Sequence, residues 1–132
     1  MGFQSGPAFG TTRGVQDFTR LHVWLRADAL ARSVYEAADR LPTDERFGLT
    51  RQMKRAATSI PSNIAEGAGR ESPREFARFL AIASGSASEL ESQLLFAAAQ
   101  GFLTSAVAAR LRGECIAVRR MLASLRRRVT EN

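Results

Sequence analysis

A chain of 132 residues, 45% hydrophobic with four prolines and ten glycines, makes one domain with a sizeable core. Its formal charge is +6 with a pI near 11.1, and 18 of its 19 basic residues are arginine, a balance that fits an anionic partner, nucleic acid above all. A single cysteine excludes an intrachain disulfide and a cysteine-based metal site. No apolar run approaches the ~18 residues of a membrane span and the first residues carry no signal-peptide pattern, so the expectation is a cytoplasmic protein.

Residues 1–16 hold Gly2, Gly6, Gly10 and Gly14 and read as a flexible tail, ahead of a bundle predicted over 17–130. Asp17 can cap a first helix over 18–40. Val23, Ala27, Leu30, Val34, Ala37 and Leu41 recur at alternating steps of four and three, the seam of a bundle helix. Trp24, Ala31 and Tyr35 form a second stripe beside it, of a kind that serves a core or an interface. Leu41-Pro42-Thr43-Asp44 ends this helix, with Thr43 or Asp44 as cap of the next.

The second helix is predicted over 44–69, with Leu49, Met53, Ala56, Ala57, Ile60, Ile64, Ala65 and Ala68 facing inward. Pro61 has no amide for the carbonyl of Ala57 and predicts a kink. Beside the apolar face runs a polar stripe of Gln52, Ser59, Asn63, Glu66 and Arg70. Two readings stand for it: a face partly in solvent, or a buried hydrogen-bonded layer in which Asn63 and Glu66 pair with the next helix. Ser72-Pro73-Arg74-Glu75 is a capping box with proline at the first helical position, preceded by Gly67 and Gly69 where the second helix ends.

The third helix, over 73–100, turns Phe76, Leu80, Ala83, Ala87, Leu90 and Leu94 inward. Its back should carry charge, yet it reads Ala81, Gly85, Ser88 and Ser92 flanked by Ile82 and Phe96. From Phe79 to Phe102 the only charges are Glu89 and Glu91. A helix this poor in charge is buried on more than one side, which in so short a chain points to self-association.

Gly101 ends the third helix, and Thr104 or Ser105 caps a fourth over 105–128. Val107, Leu111, Val118, Leu122, Leu125 and Val129 form its seam, with Cys115 beside it as an inert buried thiol. Arg112, Arg119 and Arg126 stand seven residues apart, as do Arg120 and Arg127, with Arg128 alongside. Seven residues is close to two turns, so each set makes a column that can follow a phosphate backbone or stand as a solvated face of an arginine-rich protein. Arg51, Lys54 and Arg55 of the second helix are further candidates. No aromatic residue interleaves the arginines of the fourth helix, so base stacking in the manner of single-strand binders has no support here. Four amphipathic helices with short connections predict an all-α, antiparallel up-down-up-down four-helix bundle.

Catalysis finds little footing. A di-iron bundle site needs Glu-x-x-His on two helices, and His22 is the only histidine, with no glutamate three residues before it. The same scarcity leaves Ser59 and Cys115 without a base. Gly67–Arg70 and Gly85-Ser86 lack the strand and the Gly-Lys-Ser/Thr of a phosphate loop. Glu66, Glu89 and Glu91 could form a carboxylate site; interhelical hydrogen bonding is the alternative role for them. No cofactor and no metal are expected.

Leu21-x-Val23-Trp24, Phe47-Gly48-Leu49-Thr50-x-Gln52, Ser59-Ile60-Pro61-x-Asn63-Ile64-Ala65-Glu66-Gly67 and Gly85-Ser86-Ala87-x-Glu89-Leu90-Glu91 resemble motifs of a bacterial four-helix-bundle family. Its members include proteins encoded within 23S rRNA intervening sequences, and the match runs over about residues 18–125. That family is similar to the accessory variability proteins of diversity-generating retroelements, pentameric barrels that bind nucleic acid and a reverse transcriptase through basic surface. The resemblance implies a homopentamer and, more loosely, RNA or DNA and a protein partner such as a reverse transcriptase. Two functions follow: a homo-oligomeric nucleic-acid-binding accessory protein without enzymatic activity, or a scaffold whose partner is another protein.

Overall fold

The computed structural model describes residues 17–131, and the tail expected over 1–16 lies outside them. Among the described residues there are four α-helices and no strand: α1 (His22–Ala38), α2 (Leu49–Ala68), α3 (Pro73–Ala99) and α4 (Ser105–Thr130). Each helix packs only on its neighbours round a square, α1 on α2 and α4, and α3 on α2 and α4. The backbones of the diagonal pairs stay more than 8 Å apart, Cα to Cα. Gly67 of α2 faces Phe76 and Phe79 at one end of the α2–α3 pair, while Ser59 meets Ser86 further along, so the two run antiparallel. The short connections impose the same alternation on the other pairs.

The predicted seams form the core. All six seam residues of α1 are buried, and so are Met53, Ile60 and Ile64 of α2, Leu80, Leu90 and Leu94 of α3, and Leu111, Val118 and Leu122 of α4. Each buried Val, Leu, Ile or Met among them contributes about 1.5–3 kcal/mol by leaving water. Ala65 is only half-buried, and Ala108 joins the buried face of α4.

Helix starts differ from expectation at two places. Asp17 does cap, but its carboxylate accepts from the amide of Thr19 and closes the 3-10 turn Phe18–Arg20. Leu21 is extended (φ −77°, ψ 127°), so α1 begins only at His22. Likewise Thr43–Glu45 is a 3-10 turn, and α2 starts at Leu49 behind Gly48 with no side-chain cap. Neither Thr43 nor Asp44 caps α2. α2 itself continues through the buried Pro61 as one helix.

The other caps are where the sequence puts them. Ser72 accepts from the amide of Glu75 at 3.0 Å, although the Glu75 carboxylate, instead of closing the box, pairs with Arg78. Gly101 (φ +79°) ends α3 in a Schellman arrangement: its amide donates to Ala98 and that of Phe102 to Ala97. Thr104 caps α4 by accepting from Val107 at 3.1 Å.

Gly67 is required for packing. A Cβ there would sit 2.8 Å from the Phe79 Cβ and 3.2 Å from the Phe76 carbonyl oxygen, atoms that cannot swing away. Gly67→Ala will therefore lower the urea midpoint, because overpacking of about 1–3 kcal/mol outweighs the ~1 kcal/mol helix gain of alanine. An unchanged or raised midpoint would mean that α2 and α3 can part freely at this point.

Candidate nucleic-acid interface

The candidate basic residues divide into two kinds. In the column Arg112, Arg119 and Arg126, the first two turn toward α3 and hold Glu91 between them. Arg119 donates to the Glu91 carboxylate, and Arg112 Nε stands 3.7 Å from it. Glu91 is 13% exposed, so this charge is taken largely out of water and needs both cations. These two guanidiniums are thus committed within the bundle. Arg120, Arg126 and Arg127 are exposed and make no salt bridge among the described residues.

The α2 candidates do not join them. Lys54 is held by Asp39 at 2.7 Å and lies over the Tyr35 ring at 4.8 Å, while Arg51 and Arg55 stay exposed. All three stand at the start of α2, on the diagonal from α4. Alternating helix direction puts that start at the same end as the start of α4, and Arg126 lies ~30 Å of helix beyond Ser105. The eight residues therefore do not form one surface. What remains is the end of α4: residues 120–131 hold four arginines against one acid, Glu131, and so carry three of the chain's six net positive charges.

Three arginines near that end lie outside the candidates expected from spacing within single helices. Arg70, Arg74 and Arg78 recur every fourth residue across the capping box, the signal that would have found them. All three bear on Glu75, whose carboxyl is held below its ordinary range first by its hydrogen bond from Arg78 and then by the surrounding charge. Arg70 and Arg78 both lie over the Phe79 ring.

Of the polar residues expected between helices, Asn63 reaches α3 only indirectly. Its side-chain amide donates to the carbonyl (2.8 Å) and hydroxyl (3.0 Å) of Ser59, whose hydroxyl meets that of Ser86 at 2.7 Å. Glu66 and Glu89 make no interhelical bond. Glu66 pairs with Arg70, just past the end of its helix, at 2.7 Å, and Glu89 accepts from Gln93 at 3.4 Å. Exposed positions leave these two carboxylates no reason to cross, and Glu91 takes the interhelical role. With one carboxylate at α4, one in solvent on α3 and one along α2, the three glutamates do not converge into a site.

Two apolar features complete the surface. On the back of α3, Ile82, Leu95 and Phe96 are 41%, 51% and 54% exposed, and beside them Gly85, Ser88 and Ser92 are exposed too. Between α1 and α2 lies a groove of about 590 Å³ lined by Phe18, Trp24, Ala31, Tyr35, Pro61 and Ala65 among others. Trp24 is held there edge-on to Phe18, with centroids 5.2 Å apart.

His22 is exposed at the first turn of α1. Among the described residues no group of three His, Cys, Asp or Glu side chains stands together as a metal would need. No helix of these residues is long and apolar enough to cross a membrane. Cys115 is fully buried, and burial first of all, then Glu91, pushes its thiol up to about 12. Iodoacetamide at about pH 8 should leave the native chain unlabelled and label it in urea, since the thiolate is the nucleophile. Stability should also decline as pH rises above about 9, where the unfolded thiol ionises and the folded one does not. Rapid labelling of the native chain would contradict this burial.

Among solved structures, the chain is similar to a protein of unknown function from the S23 ribosomal protein family of Bacteroides thetaiotaomicron. The TM-score is 0.74 at 23% identity, covering 79% of this chain and 97% of that one, a likeness of fold. No curated protein matches. The family described as 23S rRNA-intervening sequence protein matches over residues 19–124, from the turn before α1 to the last third of α4. The chain belongs to the 23S rRNA-intervening sequence protein family.

Proposed function

We propose that this protein is a non-enzymatic, homo-oligomeric accessory protein of the cytoplasm, a pentamer, that binds RNA or DNA through the arginine-rich end of α4. The observation that carries this reading is the charge of residues 120–131, together with the exposure of Arg120, Arg126 and Arg127 with no carboxylate partner among the described residues. Phosphates supply the counter-charge that the fold withholds there. The back of α3, largely apolar and small with Glu89 the one acid exposed among Ile82, Gly85, Ser92 and Phe96, supplies the contact between copies. A second reading, a scaffold whose partner is another protein such as a reverse transcriptase, is favoured by the α1–α2 groove, whose aromatic lining suits an apolar helix or peptide.

Affinity purification from cells with and without nuclease separates the two. Nucleic acid that co-purifies and is lost on nuclease treatment supports the first. A protein that stays bound after nuclease, with no nucleic acid in the untreated sample, supports the second and overturns the first.

A further inference from the structure

Phe79, on the second turn of α3, is half-buried against Gly67, and two guanidinium groups lie over its ring. Arg70 stands 4.9 Å and Arg78 4.6 Å from the ring centroid. Each is oriented by a carboxylate near it in sequence, Arg70 in the turn by one on the last turn of α2 and Arg78 by one on its own α3. Arg70 donates to Glu66 at 2.7 Å, and Arg78 donates through two nitrogens to Glu75 at 3.3 and 3.2 Å. Held at ring and carboxylate, the two side chains still keep 44% and 56% of their surface in solvent. Planar cations are thus fixed over an aromatic ring and left accessible.

Long-range attraction does not explain this arrangement. Residues 66–78 hold three arginines and three glutamates, so the α2–α3 turn adds no net charge. The turn nevertheless adjoins the part of the molecule that has it. Glu91 lies between Arg112 and Arg119, so antiparallel register brings the stretch of α4 near Arg126 level with Phe79 and Leu80. Arg74, exposed and without a salt bridge among the described residues, stands one turn before Arg78 on α3 and four residues after Arg70.

We propose that Arg70, Phe79 and Arg78 form a stacking platform for an unpaired base of single-stranded RNA or DNA, whose phosphates are held by Arg74, Arg126 and Arg127. This rests on the nucleic-acid reading above and adds the kind of nucleic acid. Guanidinium planes and aromatic rings stack on splayed bases whatever their identity, and a closed duplex has no such base to offer. The glutamates have a place in this scheme: they fix the planes of the guanidiniums before the base arrives.

Fluorescence anisotropy of the full chain with a labelled oligoadenylate RNA dodecamer and a blunt RNA duplex of equal length tests it. Two variants accompany the wild type. R70K/R78K keeps both charges and loses both planes; Phe79→Leu keeps apolar bulk against Gly67 and loses the ring. The wild type should prefer the single strand, and each variant should weaken single-strand binding about tenfold, the effect of removing one base stack. Duplex affinity should change by less than about twofold, since the phosphate-binding arginines remain. Single-strand affinity unchanged in the variants, or equal losses for both ligands, overturns the platform and leaves the nucleic-acid reading standing. A wild type that binds neither ligand at low salt overturns both. The double lysine variant lies on the surface and keeps the test valid if the Phe79 variant unfolds.

Discussion

Aspartates at Ile82 and Phe96 should turn a self-associating chain into a monomer of 14.4 kDa without unfolding it. Both side chains are large, apolar and about half exposed in the single chain, so the bundle itself does not depend on them. Between two copies each aspartate would be an unpaired charge taken out of water. An uncompensated charge of that kind weakens an interface by about 3–5 kcal/mol, which is a hundredfold or more at each junction between copies. Sedimentation equilibrium reads the result directly. The wild type is expected at five times the chain mass, with the variant at one and its helical circular dichroism unchanged. A monomeric wild type, or a variant that keeps the wild-type mass, would remove the α3 face from the account.

The triple reversal Arg120→Glu, Arg126→Glu and Arg127→Glu has the second large effect. These side chains are exposed and make no salt bridge among the described residues, so reversing them breaks nothing inside the bundle. Removing one phosphate-binding arginine flattens the slope of log affinity against log salt by about 0.7 to 0.9, and six units of charge change in total drive affinity down further. A fall of at least about a hundredfold at low salt is expected, with melting temperature held. Reversal of Arg51 and Arg55, a change of four units of charge, is the control, because those two stand on the diagonal helix. Losses from the two sets in proportion to the charge reversed would mean that net charge alone, and no particular surface, governs binding.

The seams of all four helices, the capping box, and the glycine and threonine that bound the α3–α4 turn were legible because each rests on spacing or on a local cap. What was missed depends on a second segment. Heptad spacing puts Arg112, Arg119 and Arg126 in one column, yet only Glu91 on another helix turns two of them inward. Which of three glutamates crosses between helices is decided by its cationic neighbours, and Glu91 alone has two. The late starts of α1 and α2 come from 3-10 turns whose residues are also good helix starters. Phe79 receives Arg70 from the turn and Arg78 from its own helix, a meeting on one ring that the hairpin makes and that spacing within a single helix does not display. The polar link between α2 and α3 likewise needs Ser86 to explain why Asn63 bonds back to Ser59.

A salt series of fluorescence anisotropy with labelled single-stranded RNA, single-stranded DNA and duplex DNA tests the central claim most directly. Phosphate binding by Arg74, Arg120, Arg126 and Arg127 predicts a linear fall of log affinity with log salt, with a slope of about −3 for a single strand. Absence of binding even at low salt, or binding indifferent to salt, would contradict it.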